Sequence, residues 1–159
     1  MSKKKKIKSL HKKGGGKLSF IIHATDEFPV LPTHTHGMTK IGMPEFLMDP
    51  LSFGPYGTGS RINVACKYFN KPENRSTLEA IKNGETVKLT HLDLVPDKNV
   101  NDPYVYCLRR VFPDFEMVKQ AYLIESHEDI DPNMWFIQIY VEGDNYVLTD
   151  QYYRGGIKW

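Results

Sequence analysis

The alternation of apolar and polar residues along this chain predicts a series of short strands. From Phe20 to Ala24, apolar side chains recur at every second position, which is the period of one face of an extended segment. Other segments are β-branched or aromatic runs bounded by Gly, Pro or Asp. The predicted strands cover residues 17–25, 33–36, 45–48, 87–90, 104–112, 134–141 and 146–149, the last two joined as a hairpin.

Three segments have the period of a helix instead. Ser60 can cap a helix over residues 61–69, whose apolar residues fall three and four positions apart. Pro72 begins a second helix that Gly84 ends, and a third runs from residue 115 to about 124. Antiparallel hairpins with isolated helices favour an α+β fold, with a mainly antiparallel sheet of six or seven strands and about three helices.

The charges divide the chain into a tail and one domain. Residues 1–17 contain eight lysines and no acid, so the net charge of +2 for the chain leaves −6 on the rest. We predict a disordered Lys-rich tail over residues 1–16 and a single α+β domain over residues 17–159. The tail is either a solubilising arm or a nonspecific contact for nucleic acid or an acidic partner, whereas the acidic body argues against a nucleic-acid-binding face.

The two cysteines and the lack of long apolar runs bear on location. Cys66 and Cys107 are too few for a disulfide framework, so both are expected to be reduced, buried thiols. No apolar run approaches the ~18–20 residues that span a bilayer, and no apolar stretch follows the basic start as in a secretory signal. We therefore expect a soluble, cytoplasmic protein without a membrane partner, and a homodimer stays open.

An ordered set of short motifs is similar to a known family. Gly37-Met38 is followed by Gly42-Met43-Pro44-Glu45 and by an apolar strand that reaches Gly54. Later matches are Ile62-Asn63, the step Arg110-Val111-Phe112-Pro113-Asp114, and Gln138-Ile139-Tyr140. Together they resemble the bacterial family called domain of unknown function 4262, over roughly residues 20–150. The lysines before it and the loop 96–103 depart from the family pattern. The resemblance implies a small bacterial α+β domain and no particular activity.

A histidine pair is the first candidate site. His34 and His36 lie two apart on a predicted strand, so both rings point to one face and could bind one metal ion. His23, Glu45 or Asp49 could supply a third ligand. The same histidines could equally line a polar cleft without metal or have a structural role.

Two adjacent arginines form the second candidate. Alternation sends Arg109 and Arg110 to opposite faces, so one of them faces the core or a cleft. Such a charge needs a carboxylate partner such as Asp114, or it awaits an anionic ligand. Arg110 and Asp114 therefore complete the set of candidate ligand-binding residues.

No nucleophile motif appears, so whether the chain is an enzyme stays open. The first hypothesis is a noncatalytic binding or regulatory module with a polar cleft. The alternative is a small metal-assisted hydrolase that uses the His-x-His site, with Arg110 holding an anion. A third hypothesis places a flavin or nucleotide under residues 54–60, which are expected to form a mobile loop. The sequence identifies neither the ligand nor a cofactor.

Overall fold

The computed structural model describes residues 8–14, 18–24, 33–49, 53–97, 99, 101–113, 115–116, 118–119 and 130–143. It contains seven strands and three helices with described bounds, and residues 115–116 and 118–119 are also helical, within the third predicted helix. The strands are β1 Lys8–Gly14, β2 Leu18–Ala24, β3 Thr33–His36, β4 Glu45–Met48, β5 Val87–Thr90, β6 Val105–Val111 and β7 Phe136–Val141. The helices are α1 Gly54–Asn70, α2 Arg75–Lys82 and α3 His91–Leu94. Two 3-10 turns cover Met38–Ile41 and Pro72–Asn74.

The strands form one sheet in the order β1-β2-β3-β4-β7-β6-β5. The α+β class is confirmed, but the mainly antiparallel arrangement is matched only in part. The five strands from β3 onward make a mixed sheet, because β4 and β7 pair in parallel, with Phe46 opposite Ile137. Along the chain, these two strands are connected by a long crossover that includes α1 and α2. Parallel neighbouring strands need a connection of this kind. Nothing in the local pattern of either strand indicates that pairing.

The predicted tail differs from the structure over residues 8–14. This segment is strand β1, antiparallel to β2 with Lys8 opposite Ala24, and it lies at the edge of the sheet. Lysines are common on edge strands because their charge discourages pairing with another chain. The lysine run was therefore compatible with a strand as well as with a tail. Residues 1–7 and the strand predicted over 146–149 lie outside the described residues.

Helix α1 begins earlier than the sequence indicated. The mobile loop expected over residues 54–60 is the first part of this helix, and Ser60 lies inside it instead of capping it. Pro55 is in the first turn, where its missing N–H costs nothing. Thr58 is fully buried, so tertiary packing overrides the low helix propensity of the glycines.

The core lies between one face of the sheet and the helices α1 and α2. Phe69 of α1 stacks on Phe46 of β4, with ring centroids 5.9 Å apart. Cys66 and Cys107 are buried and neither is in a disulfide, as predicted. The buried cluster also includes Met38, Met48, Ile62, Ala65, Ile81, Leu108, Ile137 and Ile139. This packing fixes the position of α1 relative to β6 and β7.

A capping box starts the short helix α3. The Thr90 hydroxyl accepts a hydrogen bond from the Asp93 N–H, and the Asp93 carboxylate accepts one from the Thr90 N–H. The Thr90 N–H and the Thr90 hydroxyl both donate to the Asp93 carboxylate and lower its pKa. The capping box sets His91 as the first residue of the helix. No helix in the described part of the chain is both long and apolar enough to cross a membrane.

Candidate functional site

The predicted histidine pair is buried in β3. His34 and His36 are 1% and 5% exposed, and their ring centroids lie 6.1 Å apart. The backbone of His23 lies directly opposite His34 in the neighbouring strand, but its side chain is outside the described set. Among side chains that the structure describes, no group of three His, Cys, Asp or Glu residues could hold a metal ion. The metal hypothesis therefore depends on the side chain of His23.

Glu45 is buried and hydrogen-bonded beside these histidines. One of its oxygens accepts a hydrogen bond from the Thr35 hydroxyl at 2.7 Å, and the other accepts one from the Thr39 N–H at 3.4 Å. Thr35 Oγ1 in turn accepts the N–H of Phe46 at 2.8 Å. Burial raises the pKa of Glu45 to about 7. The carboxyl group thus holds the turn between β3 and β4, whether or not it binds a ligand.

Arg110 is not beside the histidines. Across the sheet, His34 of β3 lies opposite Leu47 of β4. Leu47 lies opposite Gln138 of β7, and Gln138 lies opposite Arg109 of β6. Directly opposed residues share a face, so Arg109 is in the histidine row and Arg110 is on the other face. The prediction that Arg110 and His34 belong to one site is therefore wrong.

On its own face Arg110 has a different environment. Its Nη1 donates to the Lys82 carbonyl at 2.9 Å, and its guanidinium lies 4.7 Å and 5.4 Å from the ring centroids of Phe112 and Trp135. These rings and the carbonyl stabilise the guanidinium of Arg110. Asp114, its predicted carboxylate partner, lies outside the described residues.

A cavity of about 250 Å³ lies between α1, α3 and the sheet. Its apolar wall is made of Val64, Ala65, Leu94, Leu108 and Ile139. Its polar residues are Ser60, Arg61, His91, Asn101, Asp102 and Tyr106. An apolar pocket with a few convergent polar groups is the usual form of a small-molecule site.

Asp102 is the centre of the polar wall. Its side chain is 9% exposed, and its Oδ2 accepts the Tyr106 hydroxyl at 2.6 Å. The same oxygen lies 3.7 Å from Nη2 of Arg61 and 3.6 Å from Nδ1 of His91. Its Oδ1 accepts the Tyr104 N–H at 3.0 Å, which fixes the carboxylate at the entry to β6. One carboxylate therefore orients three other side chains of the site.

The guanidinium of Arg61 contacts Tyr106, Gly57, Phe53 and Asp102. Its Nε donates to the Tyr106 hydroxyl at 2.8 Å, and its Nη1 donates to the Gly57 carbonyl at 3.2 Å. Its guanidinium carbon lies 3.5 Å above the ring of Phe53, a cation–π contact. With Asp102 beside Nη2, every nitrogen of the guanidinium faces an internal partner.

Tyr106 acts as a fixed hydroxyl donor. Burial and the hydrogen bond to Asp102 raise its pKa to about 12, so the phenol keeps its proton at neutral pH. His91 differs from its neighbours on this wall. Within the described part of the chain, its Nε2 is buried and has no hydrogen-bond partner.

Gly57→Ala is expected to lower the melting temperature. Alanine normally improves a helix position over glycine by about 1 kcal/mol. Here a Cβ would lie 2.9 Å from Cβ of Phe53, so Phe53 must move off the Arg61 guanidinium. Thermal denaturation beside Ser60→Ala, an exposed position of the same helix, checks this expectation. A melting temperature for Gly57→Ala above that of the wild type would contradict it.

Sequence reasoning did not find this cavity. Its polar residues come from α1, α3, the loop before β6 and β6 itself, and each segment shows only one or two of them. The capping box of Thr90 and Asp93 was the local signal that could have placed His91. Comparison with family models, curated proteins and solved structures found no match. The resemblance to domain of unknown function 4262 stays a prediction.

Proposed function

We propose that this chain is a noncatalytic binding or regulatory module whose site is the cavity between α1, α3 and β6. The observation that carries the proposal is an open apolar space beside the fixed network of Arg61, Asp102 and Tyr106. A pocket of about 250 Å³ with an apolar lining and a few fixed polar groups has the form of a small-molecule site.

The size and lining of the cavity define the class of ligand. Its volume is slightly below the ~300–1,000 Å³ typical of drug-sized sites, so the ligand is a small molecule. Val64, Leu94 and Ile139 offer an apolar surface to its body, while the polar wall orients one end.

The metal-assisted hydrolase is the weaker hypothesis. Its two histidines have no third metal ligand among the side chains the structure describes, and Arg110 lies on the opposite face of the sheet. At the cavity itself, Tyr106 keeps its proton and Arg61 is occupied, which favours binding over chemistry.

We also propose membership in the bacterial family domain of unknown function 4262 and a cytoplasmic location. In support, Gly37 and Gly42 have φ of 96° and 75°, a left-handed conformation that favours glycine at both motif positions. Glu45 of the same motif bonds the turn between them, at Thr39. The motif therefore has a structural reason to recur, and the absence of a disulfide at Cys66 fits a reducing compartment.

A cavity-filling variant tests the binding proposal. Val64 lines the cavity and is partly exposed, so Val64→Phe is expected to fill the space, whereas Val64→Ala leaves it open. Small aromatic molecules at about 100 times their Kd should stabilise the wild type by about 2.7 kcal/mol. Thermal shifts measured across a fragment panel should persist in Val64→Ala and disappear in Val64→Phe. Equal shifts in all three proteins would place binding elsewhere and contradict the proposal.

A further inference from the structure

Strand β5 is shorter than its neighbour β6, and this difference leaves a groove at the edge of the sheet. The pairing of the two strands ends where Val87 lies opposite Leu108, whereas β6 continues along β7 as far as Val111. The chain that leads from α2 into β5 passes beside the uncovered end of β6. Between them lies a groove of about 370 Å³, which shares no lining residue with the cavity between α1, α3 and the sheet.

The groove is cationic. Lys82, Arg109 and Arg110 line it, and none of the other described residues that line it is acidic. The chain after residue 17 has a net charge of −6, so this concentration of cations is not the general character of the domain. Cations that converge without a carboxylate repel one another, and an anion between them removes that repulsion.

The end of helix α2 does not cancel this charge. A helix C-terminus carries about half a negative charge, which is small beside three full cations. The last carbonyls of α2 are also already bonded. The N–H groups of Asn83 and Gly84 donate to the carbonyls of Glu79 and Ile81, and Nη1 of Arg110 donates to that of Lys82. The groove therefore keeps a net positive charge.

The guanidinium of Arg110 is oriented but not neutralised. The rings of Phe112 and Trp135 lie 4.7 Å and 5.4 Å from it, and Nη1 is fixed on the Lys82 carbonyl. Nη2 has no partner among the described residues and, unlike Nε, is not sealed from solvent. A guanidinium held in this way presents N–H donors in a fixed direction, which suits the oxygens of a carboxylate or a phosphate.

We propose that this groove binds the oxyanion of a small molecule, a carboxylate or a phosphate, between Nη2 of Arg110 and the ammonium group of Lys82. Arg109 adds positive charge, although its Nε already donates to Oε1 of Gln138 at 3.1 Å. Phe112 is 41% exposed and lines the same groove, so it offers an apolar surface to the body of the ligand. This second site goes beyond the proposed function and does not depend on it.

Titration of the full chain with inorganic phosphate and with acetate tests the site by NMR, at an ionic strength held constant with sodium chloride. Either anion should give saturable shifts of the Gly84 and Thr86 amide resonances. Lys82→Met should weaken binding about fivefold, the effect of one exposed charge contact. Arg110→Lys keeps the charge but removes the fork, so it should weaken binding at least as much. Lys67→Met, an exposed position on α1 outside the groove, should bind as the wild type does.

The two anions distinguish the possible sources of the oxyanion. Tighter binding of phosphate assigns the site to a phosphorylated molecule, and tighter binding of acetate assigns it to a carboxylic acid. If neither anion shifts these amides saturably, the inference fails and the proposed function stands. Equal weakening in Lys67→Met and Lys82→Met would show general attraction to lysines and overturn it. Binding that appears only in Asp114→Asn would also overturn it, because the carboxylate of the chain itself would then occupy Arg110.

Discussion

The protein is expected to be more stable at about pH 5 than at about pH 8, and Glu45 is expected to cause much of the difference. Burial raises the pKa of this carboxyl from 4.5 to about 7, although hydrogen bonds from Thr35 and Thr39 act in the opposite direction. Between these values the folded state holds a proton that the unfolded chain has released, so rising pH favours unfolding. The stabilising contribution is complete below about pH 4.5 and lost by about pH 7, and it amounts to about 3 kcal/mol.

Urea unfolding at both pH values measures this effect. Glu45→Gln cannot ionise, so its free energy of unfolding should fall less than that of the wild type as the pH rises. Glu79→Gln, an exposed position on α2, should retain the wild-type dependence. The same loss of stability in Glu45→Gln as in the wild type would show that another group is responsible.

Replacing Asp102 by Ala is expected to lower the free energy of unfolding by about 2–3 kcal/mol. The change removes the acceptor of the Tyr106 hydroxyl and of the Tyr104 N–H, both of which are at hydrogen-bond distance. It also leaves the guanidinium of Arg61, whose side chain is only 27% exposed, without a nearby carboxylate. Loss of one partner of a largely buried charge pair is among the most destabilising single changes.

Asp97 supplies a matched control for that experiment. It is exposed and, like Asp102, accepts the N–H two residues further on, at Asn99, but it has no contact with the cavity network. Asp97→Ala should therefore cost less than about 1 kcal/mol in denaturant unfolding. Asp102→Asn keeps an oxygen acceptor and should fall between the wild type and Asp102→Ala. Similar losses for Asp97→Ala and Asp102→Ala would contradict the central role of Asp102.

The local elements could be predicted from the sequence because each depends on a short-range pattern. The strands at residues 33–36, 45–48 and 87–90 are confirmed at the predicted bounds. The helical spacing from Ile62 to Phe69 correctly identified the buried face of α1. Its first two turns were missed because glycines indicate a loop unless the segment is buried, as Thr58 is.

The site was harder to predict because it depends on tertiary contacts. Glu45 and His34 were recognised as candidates, and both are buried polar residues. Their proposed partner Arg110 is on the other face, since the register across β4 and β7 cannot be read from either strand alone. Arg61 and Asp102 are far apart in sequence. No pattern of residue spacing predicts that they lie beside His91 of the short helix α3.

The most direct test of the account is to locate phenol on the protein by intermolecular nuclear Overhauser effects. If the cavity is the binding site, the aromatic protons of phenol should contact the methyl groups of Val64, Leu94 and Ile139. Contacts confined to other surfaces, such as the region of Arg110 and Trp135, would contradict the assignment of the site.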